Sequence, residues 1–398
     1  MMQAEVMEKV RQQVPSLRFP GFKGNWTKRA LGDGCEILMC KRIFANQTAE
    51  RGDVPFYKIG TLGGEPDSYI TRAHFEDFKE RYNYPRAGET LITCAGTVGK
   101  CLQFDGHDSY YQDSNIVWID NPEEHVTNDF LFLLLSKIDW SKLNSTTITR
   151  IYSNDLRALE LSIPEALPEQ QKIAAFMGAV DRKIQQLKRK QALLEQYKKG
   201  VVQQLFSQEL RFKLSEAKSR NAGREDGGEF PEWEEKRLGD VAEVYQPQTI
   251  TGEQLTPTGY PVYGANGIVG FYPEYNHETA QVAVTCRGST CGVVNLTKPK
   301  AWITGNAMVI NTDGKQGVLK EFIYYTLSSA RLDYLITGSG QPQITGNIRE
   351  HMIQLPSLEE QSRIAGFLMA LDAKVAGVAQ AVAAAQKWKR GLLQQMFV

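Results

Sequence analysis

A long stretch of this chain occurs twice, and its residue pattern is that of a helix. The first copy covers residues 168–206 and the second covers residues 359–397, with no gap in the alignment. Equivalent residues are 191 positions apart throughout, as 169 is from 360. An ungapped match of this length indicates internal duplication, so the chain must fold as two related halves. The identical pairs include Glu169 and Glu360, Ile173 and Ile364, Phe176 and Phe367, Asp181 and Asp372, and Phe206 and Phe397.

Apolar residues recur in each copy at steps of three and four, which predicts a long helix with one apolar stripe. Sustained over about five heptads, such a stripe is typical of a coiled-coil seam. Two long helices with matching stripes are expected to pack antiparallel, and Tyr197 and Trp388 are expected to continue the stripes. The alternative is that each helix is only a core helix of its own half. The predicted seam residues are Ile173, Met177, Val180, Ile184, Leu187, Leu194, Ile364, Leu368, Leu371, Val375, Val378 and Val382.

The segments that precede the two helices also match, although more weakly. Phe19-Pro20 is paired with Phe230-Pro231, and Trp26 with Trp233. Short β-branched and aromatic runs bounded by Gly, Asp and Asn predict strands in both halves. The expected fold class is therefore α+β: two similar globules, mostly β with short helices, joined by two long antiparallel coiled-coil helices with pseudo-two-fold internal duplication.

Composition changes divide the chain into six segments. A polar, charged, Gly-containing stretch after the first long helix is typical of a linker. The predicted segments are an N-terminal arm at 1–18, a first globule at 19–164, a first long helix at 165–210, a linker at 211–229, a second globule at 230–356 and a second long helix at 357–398.

Charge and cysteine usage limit the class of protein. The 398 residues carry 46 Lys and Arg against 46 Asp and Glu, which argues against a protein that holds nucleic acid by bulk charge alone but leaves local basic patches possible. The 6 cysteines lack zinc-ligand spacing, which favours free thiols in a reducing cytoplasm. No stretch approaches the roughly 20 apolar residues of a membrane span, so a cytoplasmic protein without a membrane partner is expected.

No catalytic signature is recognisable in the sequence. There is no Gly-rich loop ending in Gly-Lys-Ser/Thr and no Asn/Asp-Pro-Pro-aromatic run of the kind that amino-methyltransferases use. The histidines are scattered, and no clustered acid, base or nucleophile is visible. The sequence therefore predicts a binding protein with no catalytic, metal or cofactor site of its own.

The predicted loops carry side chains that suit base edges and phosphates. Arg pairs well with guanine, and Asn or Gln with adenine. Two similar globules on a common frame also suit a target made of two half-sites. The candidate DNA-binding residues are Lys58, Thr61, Arg150 and Tyr152 in the first half, and Tyr263, Asn266, Arg287, Ser289, Gln341 and Gln343 in the second.

Taken together, these features resemble the DNA-specificity subunit of type I restriction-modification systems, over nearly the full length. The resemblance rests on the Trp…Leu-Gly-Asp openings, on Pro261–Gly267, on the Gly340–Ile344 loop and on helix starts of the form Pro-x-x-x-x-x-Gln-x-x-Ile-Ala-x-Phe. The first half departs from it, because Tyr57-Lys58-Ile59-Gly60 and Thr149-Arg150-Ile151 replace the corresponding motifs.

The resemblance implies two target-recognition domains that read double-stranded DNA in host defence, and helices that act as a spacer. It also implies two modification subunits, which bind S-adenosylmethionine and methylate adenine, and restriction subunits that use ATP and Mg. A duplicated protein-interaction scaffold with no role in DNA binding is the alternative. The target bases and the exact spacer length do not follow from the sequence.

Overall fold

The computed structural model describes residues 14–140, 150–213, 228, 230–265, 267–338 and 342–398. The chain forms two compact units. The first unit consists of residues 1–187 with 381–398, and the second unit consists of residues 188–380. Each long helix therefore begins in one unit and ends in the other.

The first unit contains strands β1 to β9 and helices α1 to α3. The strands are Thr27–Ala30, Glu36–Leu38, Val54–Tyr57, Tyr69–Ile70, Thr90–Thr93, Cys101–Gln103, Tyr110–Tyr111, Ile116–Asp120 and Glu160–Ile163. The helices are Arg72–Arg81, Asn128–Lys137 and Ser153–Arg157. The first long helix, α4, follows at Leu167–Phe206.

The second unit contains strands β10 to β18 and helices α5 and α6. The strands are Glu234–Arg237, Glu243–Tyr245, Tyr260–Gly264, Gly267–Tyr272, Val282–Thr285, Val294–Leu296, Trp302–Ile303, Ala307–Asn311 and Met352–Leu355. The helices are Leu238–Val241 and Lys320–Ser329. The second long helix, α7, follows at Leu358–Gln395.

Both units have the same sheet topology, which confirms the predicted α+β fold and its duplication. Each has a two-stranded sheet (β1-β9 and β10-β18) and a four-stranded antiparallel sheet (β2-β8-β5-β6 and β11-β17-β14-β15). Each also has a three-stranded sheet (β4-β3-β7 and β13-β12-β16), whose last pair of strands is parallel. Helix α1 is inserted between β4 and β5 of the first unit, whereas β13 runs on to β14 without a helix.

A buried glutamine fixes the start of each long helix to its own unit. Gln170 accepts a hydrogen bond from the Thr127 N–H at 2.9 Å and donates to the Pro164 carbonyl at 2.8 Å. Gln361 accepts from the Leu319 N–H at 2.8 Å and donates to the Pro356 carbonyl at 2.8 Å. Since buried amides are costly unless paired, these bonds hold both helix starts in the same orientation.

Within each unit, the start of one long helix packs antiparallel against the end of the other. Lys389 pairs with Asp181 at 2.6 Å in the first unit, and Lys198 pairs with Asp372 in the second. The two ion pairs are related by the same 191-residue offset as the helices, as 198 is from 389. The duplication therefore extends to individual contacts between the helices.

The seam is buried at eight of its twelve predicted positions, including Val382 near the end of α7. The other four, Leu187, Leu194, Val375 and Val378, are half-buried. Ile173, Met177, Val180 and Ile184 are buried in the core of the first unit, and Ile364, Leu368 and Leu371 in that of the second. Tyr197 and Trp388 are mostly exposed, so the expectation that they continue the stripe is wrong. Their neighbours Lys198 and Lys389 form the ion pairs instead. The seam residues also pack against globule residues, so the core-helix alternative is partly true.

The predicted equivalence of the two Phe-Pro openings is wrong. Arg18 pairs with Glu169 at 2.6 Å, and the adjacent Phe19 ring packs edge-on against Phe176. The matching contacts in the second unit come from Arg211, which pairs with Glu360 at 2.9 Å, and from Phe212, which packs on Phe367. The residues 211–213 thus belong to the second unit and not to a free linker. Residues 1–13 of the predicted arm, and 214–227 and 229 of the predicted linker, lie outside the described residues.

Helix α7 is long and apolar enough, by length and composition alone, to cross a membrane. The expectation that no stretch approaches a membrane span is wrong by this measure. The apolar window consists largely of Ala, Gly and Val and is mostly exposed. Core helices of water-soluble proteins can meet the same criterion, so one such helix is weak support for a span.

Candidate nucleic-acid interface

In the second unit, three loops are joined through their backbones at the end of strand β14. The Cys286 N–H donates to the Asn306 carbonyl at 3.0 Å, and the Ile344 N–H donates to the Cys286 carbonyl at 3.0 Å. The Gly288 N–H donates to the Pro342 carbonyl at 3.1 Å. These bonds fix the loop at 286–291 against the segments at 304–306 and 342–344.

The turn of the β12–β13 hairpin joins the same loops. The Ala265 carbonyl accepts hydrogen bonds from the Thr285 hydroxyl at 2.9 Å and the Thr290 hydroxyl at 2.8 Å. The Thr304 N–H donates to the Tyr263 carbonyl at 2.9 Å. We call this set of segments, residues 263–265, 267–268, 286–291, 304–306 and 342–344, the loop face of the second unit.

Three of the predicted residues lie together and exposed on this face. Arg287 and Gln343 are opposite each other in an isolated antiparallel bridge, and Ser289 follows two residues after Arg287. Arg287 makes no ion pair with any residue that the structure describes. The face can therefore offer a free guanidinium, an amide and a hydroxyl, which all form hydrogen bonds to base edges.

The other predicted residues of the second unit are placed differently. Tyr263 is only 6% exposed, and its hydroxyl accepts a hydrogen bond from the Lys298 N–H at 3.1 Å. It packs with Ile303 and Val309 in a small core cluster, so its side chain supports the hairpin and is not available to DNA. Asn266 and Gln341 lie outside the described residues.

The first unit has an equivalent loop face, formed by residues 58–62, 94–97, 112–115 and 150–152. The Cys94 N–H donates to the Asn115 carbonyl at 2.7 Å, and the Ile151 N–H donates to the Cys94 carbonyl at 2.9 Å. Ala95 and Arg150 form the isolated bridge that corresponds to Arg287 and Gln343. The backbone frame is the same, but an alanine and an arginine replace the arginine and glutamine.

Arg150 and Tyr152 form the most prominent feature of this first face. The Arg150 guanidinium donates to the Ser114 carbonyl at 3.3 Å and lies 5.8 Å from the centre of the Tyr152 ring. The Tyr152 side chain is 63% exposed. An arginine stacked near an exposed aromatic ring can engage a base by stacking or by hydrogen bonding.

Lys58 and Thr61 have structural partners at the edge of the same face. Lys58 pairs with Asp67 at 3.0 Å, and this hydrogen bond lowers the pKa of the Asp67 carboxyl. The Thr61 hydroxyl accepts a hydrogen bond from the Lys58 N–H at 3.0 Å. Both side chains are half-buried, so they are less available than Arg150 and Tyr152.

Sequence reasoning missed Arg42, which contacts this face, and the exposed Phe44 two residues further along the chain. Arg42 pairs with Asp113 at 2.9 Å, beside the Ser114 carbonyl that Arg150 contacts. The Phe44 side chain is 60% exposed. A signal was present: Ile43 and Gln47 recur as Ile250 and Gln254, and both glutamines accept from a backbone N–H three residues earlier at 2.8 Å.

The titratable groups near the loop faces favour a binding role. Burial raises the pKa of Cys94 to about 11 and that of Cys101 to about 12, so both thiols stay protonated at neutral pH. No group of three His, Cys, Asp or Glu side chains that could hold a metal ion occurs among the described residues. The arrangement presents hydrogen-bond donors, acceptors and rings on a fixed backbone.

Comparison with known proteins agrees with this geometry. The family model for the type I restriction modification DNA specificity domain matches residues 23–196 and 231–381. A putative type I restriction enzyme specificity subunit of Haemophilus influenzae is 47% identical over 147 residues, which cover 37% of this chain and 38% of that protein. The corresponding putative subunit MjaX of Methanocaldococcus jannaschii is 24% identical over 384 residues, covering 87% of each.

A solved structure has the same fold. The crystal structure of the type I restriction-modification S subunit from M. genitalium covers 97% of this chain and 99% of its own, with a TM-score of 0.67 and 17% identity. Two matches to the domain model, which together span well over half of the sequence, establish that the chain belongs to the type I restriction-modification DNA specificity family. The resemblance inferred from the sequence is thereby confirmed.

Proposed function

We propose that this chain is the DNA-reading subunit of a type I restriction-modification complex, and that each loop face reads one half of a two-part target. The observation that carries the proposal is the pair of loop faces. They share a backbone frame, from the bond between Cys94 and Ile151 to the bond between Cys286 and Ile344, but present different side chains. Such a frame suits two different base sequences of similar length.

The side chains on each face suit direct reading of base edges. Arg287 and Gln343 supply donors for guanine and an amide for adenine in the half-site of the second unit. Arg150 and Tyr152 supply a donor and a stacking surface in the half-site of the first unit. Ser289 is a further candidate on the second face, and Lys58 and Thr61 are candidates at the edge of the first. Asn266 and Gln341, which lie outside the described residues, remain candidates from the sequence alone.

The long helices suit a spacer that partner subunits bind. Ala373, Ala376 and Gly377 are exposed on α7, and nothing lies within 4 Å of a side chain added at Gly377. Small residues allow close approach of another protein. We infer that two methyltransferase subunits dock on the helices, and that phosphate contacts come largely from them, since this chain has net charge +0.

Catalysis belongs to the partners in this proposal. The modification subunits bind S-adenosylmethionine and methylate adenine, and the restriction subunits use ATP and Mg. This chain binds no cofactor, carries out no reaction and acts in the cytoplasm. Its contribution is to place the modification subunits at one sequence.

The test is a methylome of cells that express this chain with its modification subunit. Single-molecule sequencing should show N6-methyladenine in a split motif, with two short blocks around an unspecified gap. Wild-type chain and a matched variant, Arg287→Ala, should be compared in the same host.

Two results would contradict the proposal. Methylation at one continuous site would assign recognition to a single loop face and remove the role of the spacer. A stable complex with a competent modification subunit that neither methylates nor binds DNA would favour the protein-interaction scaffold.

A further inference from the structure

Two large aliphatic side chains are exposed at the start of β13. Ile268 is 45% exposed and Val269 is 46% exposed. Strand β13 is the outer strand of its sheet, with order β13-β12-β16. Adjacent exposed aliphatic residues on an edge strand form a small apolar surface that a binding partner could cover.

The position of these residues points to the partner. Ile268 follows the hairpin turn, whose Ala265 carbonyl is held by the Thr285 and Thr290 hydroxyls on either side of Arg287. The turn is therefore fixed to the loop that carries the free guanidinium. The aliphatic pair continues the same loop face and adds an apolar surface beside its polar groups.

A bulge holds the second of these residues in place. The pairing of β12 with β13 shifts between Val262 and Tyr263, so that Val269 is the additional residue of β13. A side chain added at Gly264 would lie 3.1 Å from a methyl group of Val269. Val269 thus packs over a glycine, and the hairpin end is a firm support for Ile268.

Strand addition by another protein is a poor explanation for the exposed pair. The Thr256 N–H donates to the Phe271 carbonyl at 2.9 Å, and these two residues form an antiparallel bridge. The outer edge of β13 is therefore already occupied near its middle. A partner strand could pair with only the first few residues, which is too short for a stable ladder.

Among the residues that the structure describes, the strand of the first unit that corresponds to β13 has no such exposed aliphatic pair. The strand that corresponds to β13 is β4, Tyr69–Ile70, and Ile70 is fully buried. The chain reaches β4 through a longer connection that contains Lys58 and Asp67. The exposed aliphatic pair is a feature of the second loop face.

We propose that Ile268 and Val269 contact thymine methyl groups in the half-site of the second unit. The 5-methyl of thymine is the apolar group on the base edges of the major groove. An aliphatic surface beside Arg287 and Gln343 fits a half-site in which a thymine neighbours a guanine or an adenine. This inference rests on the proposed function, because it assigns one chemical group of the same DNA target.

The test replaces each thymine of the methylome-defined target with deoxyuridine, which lacks only the methyl group. Duplexes with single replacements are titrated against the complete complex of this chain with its modification subunits. At one or two positions of the second half-site, the wild-type complex should bind about fourfold more weakly, as expected for one buried methyl group.

A matched variant assigns the effect to the hairpin. With Ile268→Ala or Val269→Ala, the uracil penalty should shrink towards onefold at the same positions, whereas replacements in the first half-site should have unchanged effects. Met352→Ala is the control, since Met352 is also exposed but lies on β18. It should leave every uracil penalty unchanged.

The outcomes separate the two proposals. If the wild-type complex shows no preference for the split target, the proposed function fails. If it prefers that target but tolerates uracil at every position of the second half-site, or if that half-site contains no thymine, only the present inference fails. The uracil scan uses the wild-type protein, so a variant that does not fold cannot obscure the result.

Discussion

The two loop faces share their hydrogen-bonded frame and differ in the chemistry that they present. The first offers Arg150 beside the exposed Tyr152 ring, and the second offers Arg287, Gln343 and the aliphatic pair of β13. The frame uses backbone N–H and carbonyl groups, which every residue type except proline supplies in full. Side chains can therefore change without loss of the frame, and a duplicated protein can acquire two different specificities.

The largest effect is expected from the buried carboxylates that both units share. Glu360→Ala removes the carboxylate that pairs with Arg211, which keeps its hydrogen bonds to the Phe230 and Pro231 carbonyls. Glu169→Ala does the same to Arg18. Each should destabilise its own unit by about 3 kcal/mol, because the arginine loses a mostly buried charge partner. Urea unfolding followed by hydrogen exchange, resolved for each unit, measures the loss.

The neighbouring tryptophans sharpen this comparison. The Trp233 indole donates to Glu360 at 3.1 Å, whereas the Trp26 indole N–H is buried without a partner among the described residues. Trp233→Phe should therefore cost about 1 kcal/mol more than Trp26→Phe. Equal losses would mean that the indole bond contributes nothing to the difference between the units.

Recognition should be lost from one half-site at a time. Arg287→Ala should weaken discrimination in the half-site of the second unit by about 1 to 3 kcal/mol, or roughly 5- to 150-fold, because the proposed bidentate contact to guanine would be lost. Arg150→Ala is the matched variant for the first half-site. Competition binding with duplexes altered in one half-site at a time measures both.

The assignment of one loop face to each half-site depends on this asymmetry. If Arg287→Ala relaxed both half-sites equally, the two faces would have to act on a common block of bases. Lys298→Ala serves as a control for lost positive charge, since this exposed lysine lies beyond β15. It should change overall affinity and its salt dependence without changing base preference.

The smallest effect concerns pH and is confined to the second unit. Burial lowers the pKa of His277 and of His351 below the ordinary value of 6.5. The unfolded chain therefore takes up these protons at a higher pH than the folded unit does, so acid favours unfolding. Stability of the second unit should decline as pH falls below about 6.5, as hydrogen exchange at pH 7.5 and 5.5 would show.

The contacts of His277 suggest a variant that tests its share of this pH dependence. Its ring nitrogens lie 2.9 Å from the Tyr245 hydroxyl and 2.6 Å from the side-chain amide oxygen of Asn276. Asp313 opposes the pKa shift and Lys320 adds to it, both less strongly than burial. His277→Gln should reduce the pH dependence, while His107→Gln in the first unit should not. An unchanged pH profile in His277→Gln would assign the effect to other groups.

The sequence predicted the fold well because the duplication aligns the two halves at a constant offset, which identifies equivalent residues. The 191-residue offset paired Asp181 with Asp372, and both aspartates form the same contact with a lysine of the other helix. Strand-like runs and the α+β class followed from local patterns. The shared topology of the two units then required only that the matched segments, from Trp26 and Trp233 onward, keep the same framework.

What the sequence did not reveal depends on contacts between distant residues. A tyrosine on a short strand can face either side, and only the packing of Ile303 and Val309 turns Tyr263 inward. The predicted Phe-Pro match is wrong because Arg211 pairs with Glu360 and Phe212 packs on Phe367. Both residues precede Phe230 by a long insertion. Tyr197 is 54% exposed, whereas the adjacent Lys198 pairs with Asp372 of the other helix.

The first unit is built from both ends of the chain, which has a consequence for biosynthesis. Its core is closed by Leu392, Met396 and Phe397, and the Phe397 ring stacks on Phe130 at 5.6 Å. The second unit, by contrast, is one continuous stretch, residues 188–380. A ribosome that has finished residue 187 must add the second unit and more before the first can be completed, a delay of about 10 to 40 s at ordinary elongation rates. The unit that is translated first is therefore the last to be finished. A stop codon after residue 380 would leave the second unit whole but remove the residues that close the core of the first unit.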